Sequence, residues 1–227
     1  MLLALLAGLV SASATALALS PLCAGRSLVW VVIIGAHAGL AGLAGWRMRK
    51  DGSLAERLTP RGGDFTLGVL AATALLIGSW MLRAQLVPPG SVAAGWIARI
   101  YLVIGDPNAV QRSVGLTLAV LAAAALVELT WRGLVQDLLE ERLGSRWGWL
   151  ATAGLFTLAS TPSVALLADT AAGPNPLFMV ATGACGLTWG FLTRTVGRLW
   201  PAIFSHMTFL YFTAVQFRVP GITPPGL

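Results

Sequence analysis

The chain has 227 residues, of which 56% are hydrophobic and only 11% charged, with a mean hydropathy of +0.78. Such values exclude a soluble domain and imply an all-helical, polytopic integral membrane protein, a single membrane domain over 1–227. The net charge of +6 sets 14 arginines and Lys50 against nine acids, an excess that in a membrane chain orients loops, so no nucleic-acid partner is expected.

The first apolar stretch, MLLALLAGLVSASATALALSPLCAG, has no basic n-region and is expected to be a retained span rather than a cleaved signal. Further stretches of spanning length cover about 28–46, 65–82, 114–131, 148–168, 176–193 and 199–217, which makes seven. An eighth segment, Ser91 to Ile104, is shorter, carries Arg99 and lies between Pro88-Pro89 and Asp106-Pro107; it reads as an interfacial or re-entrant helix. Cys23 and Cys185 are far apart, with no CxxC or Cys/His cluster, and are expected to be packing residues.

The loop RMRKDGSLAERLTPRGGD after the second span is the most basic, and placing it in the cytoplasm puts Arg142, Arg146, Arg194 and Arg198 there too. The opposite loop, ADTAAGPNP, has no Lys or Arg. The N-terminus is then expected to be cytoplasmic, in a bacterial inner membrane. Trp30, Trp46, Trp80, Trp131, Trp147, Trp149 and Trp200 fall near span ends and read as interfacial anchors.

Two places resist this bland pattern. In LVELTWRG, at the end of the apolar run VGLTLAVLAAAALV, Glu128 precedes Arg132 by four residues, the favoured order for a helical ion pair. One expectation is structural: Arg132 snorkels to the headgroups and Glu128 neutralises it one turn deeper. The other is that an ionisable group inside the membrane marks a function. In the last span, LWPAIFSHMTFLYF places His206 five residues after Pro201, whose ring frees backbone groups that need polar partners. His37, in IIGAHAGLAGLAGW, reads as a helix-contact histidine bonded to a backbone carbonyl.

Together these segments resemble the C-terminal half of the CPBP family, the CAAX-protease and bacteriocin-processing membrane proteins that include the type II CAAX prenyl endopeptidases. The resemblance covers roughly residues 114–217 and is carried by ELTWRGLVQDLLEERLGSRWGWLATAGLFTLAS and GLTWGFLTRTVGRLWPAIFSHMTFLYF, above all by RTVGRLWPAIFSH. It implies an intramembrane endopeptidase whose first motif is Glu-Glu, three residues, then Arg-Gly; here that position reads Val127-Glu128, then Arg132-Gly133. The second motif, Phe then His four residues on, falls on Phe156 and Ser160, and the third, His then Asn or Asp, on His206 and Leu210.

In the family the first glutamate and the second-motif histidine are thought to activate water, and the third-motif pair to stabilise the oxyanion. Val127 supplies no base, and Ser160 cannot act as one near neutral pH. Leu210 removes an oxyanion donor, a loss of about a hundredfold or more in rate. Glu128 would have to swing by about 100° around its helix to replace the missing glutamate, leaving Arg132 behind. Asp137, Glu140 and Glu141 in QDLLEERLGSR read as a solvated face, and Asp169 belongs to the opposite membrane face. One His and one Glu fall short of a three-ligand metal site, and no cofactor is expected.

What survives of the site is Glu128, Arg132 and His206. The sequence therefore points to a catalytically silent CPBP-like protein, a scaffold or assembly subunit that binds a membrane protein partner or membrane-bound peptide within the lipid bilayer. An active endopeptidase with an unconventional site is the first alternative. A transporter, or a subunit carrying haem or chlorin on His37 or His206, is the second.

Overall fold

A computed structural model describes residues 1–216. The stretch GITPPGL and the last residue of the 199–217 span lie outside the described residues. The described chain is helical: α1 (Leu2–Ala18), α2 (Leu28–Lys50), α3 (Leu54–Leu58), α4 (Asp64–Leu86), α5 (Ala94–Ile104), α6 (Pro107–Arg112), α7 (Val114–Thr130), a π-helical turn (Trp131–Val135), α8 (Gln136–Leu143), α9 (Ser145–Ala159), α10 (Pro162–Leu166), α11 (Leu177–Val196) and α12 (Trp200–Gln216).

Four stretches are long and apolar enough to cross a membrane: Leu28–Lys50, Asp64–Leu86, Val114–Leu143 and Ser145–Leu166. They match four of the seven expected spans. The other three are less decisive for a physical reason. Helices α1 and α12 have only 17 described residues each, and α11, at 20, mixes its apolar residues with threonines, glycines and Arg194. At 11 residues α5 is too short to cross, and Arg99 is exposed on it.

Local chemistry explains the ends. The last turn of α2 carries Arg47, Arg49 and Lys50, which complement the negative end of the helix dipole. Asp106 and Ser113 cap α6 and α7 by accepting from the backbone N–H groups of Asn108 and Leu116. Gly197, at φ +72°, closes α11 in the left-handed region.

Helices α4 and α7 flank α12, while α9 packs on α11 and α8. The α4–α12 approach is very close: a Cβ on Gly68 would lie 2.8 Å from Phe204 Cβ and 2.9 Å from the Pro201 carbonyl oxygen. Gly148 plays the same part where α9 turns back on α8, for its Cβ would meet Glu140 at 2.5 Å.

One end of the bundle gathers the basic loop and the acids of α8. Arg57 bonds Asp137, Arg47 bonds Glu141, and Arg198 Nε donates to Asp64 Oδ1 and Oδ2 at 3.1 and 3.0 Å. The backbone of α3 also holds the start of α12, through Leu199 N to the Arg57 carbonyl at 3.1 Å and Trp200 Nε1 to the Leu58 carbonyl at 2.6 Å. This corrects the expectation of a merely solvated face in QDLLEERLGSR. Gln136 is buried, Asp137 is half-buried, and Glu141 and Asp137 hold the end of α2 and α3. Asp169 sits at the other end, accepting from the backbone N–H groups of Ala171 and Ala172, which hold its carboxyl below the usual carboxylate range.

The tryptophans divide. Trp46, Trp80 and Trp147 are exposed, as anchors should be, but Trp30 and Trp131 are buried in the bundle. Position near a span end did not distinguish the two groups, because small residues on neighbouring helices (Ala4, Ala7 and Ala159 around Trp131) leave room for an indole. Cys23 and Cys185 are buried free thiols.

Candidate functional site

Glu128 lies in the last turn of α7 and Arg132 one turn on, inside the π-helical turn; both are 0% exposed. Glu128 Oε1 accepts from His206 Nδ1 at 2.8 Å, and Glu128 Oε2 stands 3.6 Å from Arg132 Nε. The expected ion pair is therefore present, but as one edge of a three-residue centre. His206 comes from α12, stacked on Trp189 of α11 with ring centroids 4.0 Å apart and planes 19° apart. Trp189 Nε1 in turn donates to Ser205 Oγ at 2.9 Å, which fixes the indole against which the imidazole lies.

Arg132 does not snorkel. Its Nη2 donates to the Gly186 carbonyl at 3.3 Å, and its guanidinium lies 5.1 Å from the centroid of the Phe156 ring. The widened π-helical turn and the glycine explain the difference from expectation. A π-turn shifts the helical phase, and a Cβ on Gly186 would meet Phe156 at 3.2 Å and the Ala153 carbonyl oxygen and Cα at 3.4 Å. Arg57 Nη2 donates to the Arg132 carbonyl at 3.1 Å, so the basic loop also grips this turn. Glu128 Oε2 and Arg132 Nε and Nη1 are buried without hydrogen bonds. The two side chains thus attract as charges across 3.6 Å, an arrangement that is costly to break on one side only.

Beside this centre lies a cavity of about 590 Å³, within the range of about 300–1,000 Å³ of sites that enclose whole ligands. Val127, Ser160, Leu210 and His206 all line it, together with Ser11, His37, Trp131, Phe156 and Trp189. The three positions where this sequence departs from the family motifs therefore share one chamber, which the sequence could not show. Glu128 and Arg132 are packed behind that wall. No Asp or Glu is among the described lining residues, so the chamber has no carboxylate base. Ser160 Oγ donates to the Thr157 carbonyl at 2.7 Å, and Leu210 packs with Trp30, Val120 and Val215.

Among the described residues no group of three or more His, Cys, Asp or Glu is placed to hold a metal ion. The two histidines of the chamber are each committed at Nδ1, His206 to Glu128 and His37 to the Ile33 carbonyl at 2.9 Å. That donor set does not fit a three-ligand catalytic metal.

Fold and site together define a helical integral membrane protein with a charged centre packed inside its bundle. Residues 109–212, from within α6 into α12, match the family described as Rce1-like type II CAAX prenyl endopeptidase, in agreement with the CPBP resemblance. No curated protein and no solved structure matches the chain.

Sequence reasoning did not single out Trp189 or Gly186, and it read Trp131 as an interfacial anchor. Trp189 lies in GLTWGF, where its spacing from Gly186 and Gly190 was a usable sign that this face of α11 is packed rather than lipid-facing.

Proposed function

We propose that this protein has kept the CPBP-type membrane scaffold and lost the family's water-activating chemistry, and that it works as a binding or assembly subunit for a membrane protein or membrane-bound peptide. The observation that supports this most directly is that Val127, Ser160 and Leu210 line one chamber from which Glu128 is packed away. A peptide carbonyl in that chamber meets no carboxylate and no second-motif imidazole, so the water that family members activate has no base pair there. Glu128, Arg132 and His206 then act as a structural keystone that joins α7, α11 and α12.

In this reading the chain crosses a bacterial inner membrane seven times, with its N-terminus and the loop between α2 and α4 in the cytoplasm. Arginine bias supports the orientation. The contacts of Arg47 and Arg57 with α8 support placing both segments at one membrane face.

Purification of the native protein in mild detergent tests the proposal. A defined membrane protein is expected in stoichiometric amount, equally with wild-type and Glu128→Gln protein. A chain that purifies alone and cleaves a prenylated peptide would overturn it.

A further inference from the structure

Most hydroxyls on the helices of this protein bond their own helix. Thr152, Thr157, Thr182, Thr188 and Thr213 each donate to the carbonyl four residues back. Ser11, in the middle of α1, does otherwise: its Oγ lies 3.2 Å from Nε2 of His37 on α2. His37 Nδ1 faces the Ile33 carbonyl, which can only accept, so Nδ1 carries the proton. In the neutral ring Nε2 is then a lone pair, and the Ser11 hydroxyl donates to it. This is the tautomer and order of a nucleophile, a general base and the group that orients the base.

Both residues are buried, at 3% and 5% exposure, and both line the 590 Å³ chamber. Trp131 lines it too. The walls are otherwise largely apolar, with Ile33, Ile97, Ile100, Leu75 and Phe209 among them.

We infer that Ser11 and His37 form a nucleophile and base pair for a long-chain acyl ester bound in this chamber. Ser11 Oγ bonds to the acyl carbon as the ester C–O bond breaks. The hydroxyl proton passes to His37 Nε2 and on to the departing alkoxide, which leaves as the alcohol. Water then attacks the acyl-serine, His37 takes its proton and returns it to Ser11 Oγ, and the carboxylic acid is released.

The pair lies on α1 and α2, outside residues 109–212, so it is independent of the Glu128 centre and of its silence.

The test is labelling of the full chain, in detergent, with a long-chain alkyl fluorophosphonate, followed by mass spectrometry of the α1 peptide. Stoichiometric modification of Ser11 is expected, none in Ser11→Ala, and a rate lower by about a hundredfold in His37→Ala, the scale of a lost general base. Folded wild-type protein that stays unmodified at Ser11, or His37→Ala protein modified as fast as wild type, would overturn the inference and reduce the pair to a helix contact. The wild-type measurement decides even if His37→Ala fails to fold.

Discussion

His206 Nδ1 donates to Glu128 Oε1 across 2.8 Å, a bond between residues 78 positions apart that ties α12 to the last turn of α7. An imidazole and a carboxylate so engaged satisfy each other. Glu128 is thereby held out of the chamber, while His206 lines it with Nδ1 committed, and Arg132 lies on the other carboxylate oxygen.

That arrangement predicts the order of a stability series. Arg132→Leu alone strands Glu128 and is expected to cost about 3–5 kcal/mol, whereas replacing Glu128 and Arg132 together with apolar residues is expected to cost less. A double-mutant cycle by thermal unfolding in detergent checks this. Additive losses would show that the 3.6 Å approach carries no coupling.

The close approach of α4 and α12 gives a second expectation. Gly68→Ala drives a methyl against Phe204 and the Pro201 carbonyl and is expected to destabilise by about 1–3 kcal/mol. Gly42→Ala on α2, where nothing lies within 4 Å, is expected to be neutral or to stabilise by about 0.5–1 kcal/mol. Equal effects at the two sites would mean that α4 does not pack as described.

Topology is testable with cysteines, because Cys23 and Cys185 are buried and should stay silent. Glu56→Cys is expected to react with an impermeant maleimide only from the cytoplasmic side, and Ala171→Cys only from the other; both positions are exposed. Labelling of both from one side would contradict the proposed orientation.

Much of the fold was legible because lipid demands long apolar helices, and α2, α4, α7 and α9 announce themselves by composition. Helices α1, α11 and α12 are less apolar or shorter, so hydropathy counted them without settling them. At the site, the spacing of Glu128 and Arg132 on one helix was readable, since four residues make one turn. The bond from His206 was not, because no periodicity links positions on α7 and α12. The burial of Arg132 was missed for a related reason: a π-helical turn leaves no mark in hydropathy, and the room beside it depends on Gly186 of another helix. The acids of α8 looked solvated because their partners, Arg47 at the end of α2 and Arg57 in α3, stand 94 and 80 positions away.

Complementation of a deletion strain, scored beside membrane abundance, tests the proposed loss of chemistry at the CPBP-type centre most directly. Glu128→Gln and His206→Ala proteins present at wild-type abundance are expected to restore the biological role to near the wild-type level. Loss of that role by about a hundredfold or more in well-folded Glu128→Gln or His206→Ala protein, with its partner complex still assembled, would contradict the account and restore Glu128 and His206 to catalysis.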